Sequence, residues 1–184
     1  MSDEKLAVLN DKGKPIGKIL ARDEVHEKEL WHEVVHIWIV NEEEKLLLQE
    51  RSAEKEQYAN VLHISSAGHV IAGESILETA LREVKEEINL DVNASDMTFI
   101  GKFKVSQKTP ETGLLDKEWV NDYLLKIQGS PSLNLQKEEV EKVEWISLDK
   151  LKSEVKNNKT YKNYLNHPKS YYLHTVSLIK SRLR

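Results

Sequence analysis

Three glutamates, Glu83, Glu86 and Glu87, stand close together in the run LREVKEEINL. Carboxylate oxygens are hard donors, so such a group can collect a divalent cation beside a phosphate. A cation in that position neutralises charge and lowers the pKa of a bound water. The plain alternative is a solvated helix face. Angular position separates the two readings at about 100° per residue. Leu77, Leu81, Val84 and Ile88 recur at spacings of three or four and form one apolar stripe. Glu83 and Glu87 border that stripe, with Glu86 on the other side of Glu83, whereas Glu78 and Lys85 point away from it. Like charges one turn apart repel, and near a core their pKa values rise unless a cation neutralises them.

The helix that carries them has readable ends. Ser75 and Glu78 match a capping box, and Asn89 tolerates the left-handed conformation that stops a helix, so a helix is predicted from Ser75 to about Ile88. Strands are predicted at Leu6 to Asn10, over IGKILAR, at Val34 to Val40 and over LLLQE, the last two as a hairpin across NEEEK. Further strands are expected at Met97 to Val105, Trp119 to Ile127 and Val143 to Ile146. Between the first two, SQKTPETGLLDK reads as a mobile loop. Arg22 to Leu30 reads as a short helix or a loop. Ser147 is a candidate N-cap for SLDKLKSEVKNN, and the basic, aromatic tail from Lys159 ends in a helical pattern.

Composition bounds the function. The chain has 184 residues, 39% hydrophobic and 32% charged, which fits one globular mixed α/β unit with a core over about 30–157 and a tail over 159–184. A net charge of -4 disfavours a nucleic-acid polymer as partner. There is no cysteine, hence no disulfide, thiolate ligand or cysteine nucleophile. The charged start MSDEKLAVLNDKGKP carries no apolar signal segment, and runs such as VVHIWIV are too short to span a bilayer. A cytoplasmic protein is expected. The apolar, aromatic tail could dock on its own domain or on a second subunit.

The segment from Gly68 to Leu90 closely resembles the Nudix box: Gly68, Glu74, Arg82, Glu83, Val84, Glu86, Glu87 and Leu90 stand in pattern positions, with Asn89 where the family has glycine. The resemblance implies the Nudix fold, an α/β/α sandwich with a mixed β-sheet, and a pyrophosphohydrolase that cleaves a diphosphate joined to another moiety. It implies Mg²⁺ or Mn²⁺ held by Glu83, Glu86, Glu87 and the carbonyl of Gly68, with one glutamate acting as base. Glu74 and Arg82 would hold the loop to the helix by an ion pair.

The wider pattern, from LWHEVVHIWIVN through LLLQERS to ISSAGHV, is similar to the branch near type 1 isopentenyl diphosphate isomerases. Those enzymes use a cysteine, a glutamate and metal-binding histidines; here Ala67 stands at the cysteine position, with His32 and His69 at similar places to the histidines. His32 and His69 are candidates to touch metal or phosphate, or to be histidines hydrogen-bonded near the pocket. Arg51, and more weakly Lys55, are phosphate candidates, the alternative being surface ion pairs. Glu118, Glu138 and Glu139 are candidates for an extra carboxylate, and Trp31, Trp38, Trp119 and Trp145 for core or pocket wall. The expected activity is metal-dependent hydrolysis of a nucleoside diphosphate derivative. An isomerase or a diphosphate-binding module without turnover are the alternatives.

Overall fold

The computed structural model describes residues 4–55, 57–129, 131–165 and 167–183. An N-terminal hairpin of β1 (Lys5–Leu9) and β2 (Pro15–Ala21) leads into α1 (Arg22–Glu27). Then come β3 (His32–Asn41), β4 (Lys45–Arg51), β5 (Leu62–His63), β6 (Ser66–His69) and α2 (Ile76–Ile88). The chain continues through β7 (Met97–Lys108), β8 (Leu115–Ile127), β9 (Val140–Ser147), α3 (Leu148–Lys156), α4 (Asn158–Tyr161) and α5 (Lys169–Leu183). Among the described residues no helix is long and apolar enough to cross a membrane.

β3 is the centre of the molecule. It is buried along nearly its whole length, on both faces. Val34, Trp38 and Val40 face a cluster completed by Leu151 and Val155 of α3 and Val176 and Ile179 of α5. Val35, Ile37 and Ile39 face the opposite cluster, with Ala80, Val84 and Ile88 of α2. Each such aliphatic side chain contributes roughly 1.5–3 kcal/mol when fully buried. Helices therefore cover both faces of a mixed sheet, the α/β/α sandwich expected.

The predicted hairpin between β3 and β4 needs correction. The turn forms, but the strands pair only at Val40↔Leu46 before they part. Ser65 fills the opening: its Oγ accepts from Ile39 N at 2.8 Å and donates to Leu47 O at 2.6 Å. Beyond it, β6 takes over the β3 edge from Val34↔His69 to Ile37↔Ser66, while β9 and β5 pair with β4. The other edge of β3 runs parallel to β8, in register from His32↔Glu118 to Asn41↔Ile127.

The expected mobile loop is half strand. β7 and β8 stay paired through Ser106↔Lys117, Gln107↔Asp116 and Lys108↔Leu115. The Pro, Thr and Gly signal belongs to the short connection alone, where Gly113 N reaches Thr109 O at 2.8 Å. Asp116 and Glu118 thus sit on a strand. The tail docks on its own sheet: Leu62 N and O bond Asn163 O and Leu165 N, each at 2.8 Å.

Both ends of α2 close as the sequence indicates. Ser75 Oγ accepts from Glu78 N, and the Glu78 carboxylate accepts from Ser75 N, at 3.2 and 2.8 Å. Asn89 is left-handed at φ 54°, ψ 39°. A Cβ in that region costs about 1–2 kcal/mol, and asparagine offsets part of this with its short polar side chain. Asn89→Ala should therefore lower the melting temperature by about 2–4 °C, as expected for about 1 kcal/mol in a chain of this size. Asn89→Gly should not lower it. Equal melting temperatures for the two variants, followed by circular dichroism, would contradict this account of the helix end.

Candidate functional site

α2 presents its glutamates to β6. Glu83 and Glu87 are only 9% and 5% exposed, while Glu86 is exposed at the rim. The carboxylate of Glu83 lies against the α-carbon of Gly68: a methyl group there would come within 1.9 Å of Oε1. Only glycine leaves that space. Glu87 reaches the junction where β6 and β4 part. Its Oε2 accepts from Ala67 N at 3.2 Å and from Gln49 Nε2 at 3.3 Å.

Arg82 is the organising cation of this face. Its Nη1 donates to Glu83 Oε1 at 2.8 Å and to Glu86 Oε2 at 3.0 Å. Nε and Nη2 grip Glu74, both at 3.1 Å to one oxygen or the other, and Nη2 also reaches His69 O at 3.3 Å. The Glu74–Arg82 pair expected from the box is thus in place, and the same guanidinium neutralises two of the three glutamates. Burial pushes Glu83 up to about 8, with Glu87 repulsion adding to it. Burial also pushes Glu87 up to about 7, reinforced by the charge of Glu139. Buried carboxyls in mutual repulsion fit a cation well, since it would return both to their ionised forms.

A second group of donors forms on the sheet face opposite α2. The β3–β8 register sets His32 beside Glu118, and Asp116 follows two residues earlier on β8. His69 stacks on His32 with ring centroids 5.2 Å apart, and His26 of α1 stands 4.8 Å from His32. Asp116 Oδ1 lies 3.7 Å from His26 Nε2 and 3.8 Å from His32 Nε2. Four buried atoms here, His32 Nε2, His69 Nε2, Asp116 Oδ1 and Glu118 Oε2, have no hydrogen-bond partner among the described residues. Burial lowers His32 to about 4 and takes His69 well below its ordinary range, so both rings are neutral. Burial, then Asp116, raises Glu118 well above the usual carboxylate range. Convergent bare lone pairs of this kind can seat a metal ion.

His26 and Asp116 escaped the sequence reading. One lies in a segment readable as helix or loop, the other in an apparent loop; strand register brings Asp116 to His32, and the packing of α1 brings His26. The remaining candidates fall elsewhere. Arg51 makes neither a surface ion pair nor an open fork; its Nε and Nη2 donate to the carbonyls of Tyr58 and Gln57 at 3.1 and 3.2 Å. Lys55 pairs with Glu139, which lies at the edge of the site, while Glu138 is exposed. Trp38 is fully buried and Trp145 half-buried against the α2 cluster. Trp31 and Trp119 face each other at 6.3 Å, with Lys104 4.6 Å from the Trp31 ring.

Known proteins agree with this architecture. The NUDIX domain family model matches residues 30–167. An uncharacterized Nudix hydrolase of Clostridium acetobutylicum is 34% identical over 155 residues, covering 82% of this chain and 73% of that protein. Isopentenyl-diphosphate Delta-isomerase 2 of Photorhabdus laumondii is 27% identical over 155 residues, covering 84% of each. A crystal structure of a Deinococcus radiodurans protein shares the fold at TM-score 0.71 and 21% identity, covering 95% of this chain and 98% of that one. A family model that runs from the start of the central strand through the box to the docked tail leaves one assignment: the chain belongs to the Nudix hydrolase family.

Proposed function

We propose that this chain is a divalent-metal-dependent hydrolase that cleaves the diphosphate of a nucleoside diphosphate derivative, by attack of water on phosphorus. The observation that carries the reading is the burial of Glu83 and Glu87 against Gly68 and Ala67. Glu83, Glu86, Glu87 and the Gly68 carbonyl would hold Mg²⁺ or Mn²⁺. When bound, such an ion supplies charge neutralisation on the diphosphate and a more acidic water. Gln49 and the Ala67 amide orient Glu87, and Arg82 orients Glu83 and Glu86. Glu74 in turn holds Arg82.

His26, His32, His69, Asp116 and Glu118 supply a mixed nitrogen and oxygen donor set, which suits Mn²⁺ or Zn²⁺ better than Mg²⁺. Their unpartnered atoms support a second cation seat on the far side of β6. A cleft of about 300 Å³ lined by Tyr58, Pro110, Tyr161 and Tyr164 opens nearby, and its aromatic walls suit a base or sugar. The isomerase reading is set aside because Ala67 stands where the thiol acts and the chain has no cysteine. Isopentenyl diphosphate incubated in deuterium oxide should gain no deuterium.

A screen of nucleoside diphosphate derivatives with Mg²⁺ or Mn²⁺ should release a nucleoside monophosphate or phosphate. Glu87→Gln should lower that turnover by more than ~100-fold, beyond the loss typical of groups that merely support a metal ligand. Near-normal turnover in that variant would sink the assignment.

The same carboxyls set a pH dependence. In the folded chain Glu83 and Glu87 keep protons up to about 8 and about 7, against 4.5 for the ordinary group. Between those limits the folded state binds more protons than the unfolded one, so the metal-free chain loses stability as pH rises. Buried neutral histidines act in the opposite sense below about pH 6.5, so the informative window runs from there to about pH 8. With chelator present, the melting temperature should fall across that window more steeply in the native chain than in Glu83→Gln, and Mn²⁺ should reverse the fall. Equal slopes would remove the carboxyl repulsion from the account.

A further inference from the structure

Three other histidines meet inside the core. His36 comes from the middle of β3, His63 ends β5, and His167 stands just before α5; they are 2%, 4% and 1% exposed. Their ring centroids are 5.0 to 5.4 Å apart, and one nitrogen of each lies within 4.8 Å of those of the other two. Burial takes all three below the ordinary histidine range, so each ring is neutral and carries one bare nitrogen lone pair.

Tyr171 Oη bridges Asp122 Oδ1 and His36 Nδ1, at 2.6 Å to each. With Nδ1 so engaged, Nε2 is the nitrogen of His36 left for an ion. Thr175 Oγ1 holds the second oxygen of Asp122 at 2.9 Å, so the relay is anchored in α5. A histidine whose outer nitrogen is held through such a relay to an acid is a stronger ligand.

His63 Nε2 and His167 Nε2 are hydrogen-bonded to each other at 3.3 Å, one ring donating and the other accepting until an ion displaces that proton. Ligands about 2.0–2.1 Å from a tetrahedral Zn²⁺ are separated by about 3.3–3.4 Å, so this pair already spans one edge of such a site. Imidazole donors suit Zn²⁺ and not Mg²⁺. Asp122 Oδ1, 3.9 Å from His36 Nδ1, is the nearby carboxyl oxygen. Arg51 is the cation whose charge reaches His63 and His167, and it is itself opposed by Glu87 and Glu139.

We propose that His36, His63 and His167 form a structural Zn²⁺ site that fastens the segment leading into α5 to the central sheet. The three ligands come from distant parts of the chain, so the ion cross-links β3, β5 and the tail and adds its binding energy to the folded state. The site is independent of the hydrolase reading, because its donors and its place in the fold differ from those of both cation seats proposed there.

The full chain, stripped with chelator and dialysed against Zn²⁺ in excess Mg²⁺, tests it by metal analysis. His63→Gln and His167→Gln should each lose about one zinc equivalent relative to the native chain, and the two changes together should cost no second equivalent. Zinc retained in full by both His63→Gln and His167→Gln would overturn the site. Should those variants fail to fold, long-range ¹⁵N spectra of the native chain serve instead. Zn²⁺ should move the ring nitrogens of His36, His63 and His167. Movement confined to His26, His32 and His69, or none, overturns it equally.

Discussion

Two carboxylates held together in a poorly hydrated cleft repel each other, and the rest of this molecule is arranged to keep them there. α2 is closed at both ends, by the Ser75–Glu78 box and by left-handed Asn89, so it cannot fray to separate the charges. Ala80, Val84 and Ile88 weld its underside to Val35, Ile37 and Ile39. Arg82 then meets three acids at once, offsetting part of their negative charge. Glu87 is treated differently. Its oxygen is met by an amide side chain and a backbone N–H, which orient it without cancelling its charge. The least compensated carboxylate is thus also the deepest.

Much of this was legible in the sequence because it is local. The period of Leu77, Leu81, Val84 and Ile88 defines a buried stripe, and the angles of Glu83, Glu86 and Glu87 follow from it. The caps are written in Ser75, Glu78 and Asn89. What stayed hidden depends on pairing between distant segments. Nothing near His26 or Asp116 announces a shared site, because α1 and β8 are far apart in the chain and meet only in the folded structure. The Pro, Thr and Gly between Lys108 and Leu115 drew a whole segment into an apparent loop, although alternate residues Val105, Gln107 and Thr109 are buried. The contacts of Arg51 were hidden for a related reason: those of Nε and Nη2 are to backbone carbonyls, which leave no trace in residue type.

β3 also carries two histidines, His32 and His36, two pleat periods apart on the same face. Each lies beside an acid of β8, Glu118 in one case and Asp122 in the other. Their surroundings then diverge. At His32 the neighbouring acids keep unpartnered oxygens, an arrangement open to exchange with a bound ion. At His36 the acid is saturated by Tyr171 and Thr175, and the free nitrogen turns inward to two more imidazoles. One strand thereby separates an open, chemical end from a closed, architectural one. A slip of one residue between β3 and β8 would turn both acids to the other face and dissolve both groups together.

The parallel pairing of β3 and β8 has a consequence during synthesis. The register joins His32 to Glu118, so the apolar central strand leaves the ribosome long before its neighbour exists. Until β8 arrives, a strand buried on both faces in the finished protein is open to any other chain with an unpaired edge. Parallel pairing over such a separation is slow because the loop must close before contacts reward it. The interval in which a growing chain is most vulnerable to misassembly is therefore set by the same topology that later gathers His32, Asp116 and Glu118 on one face.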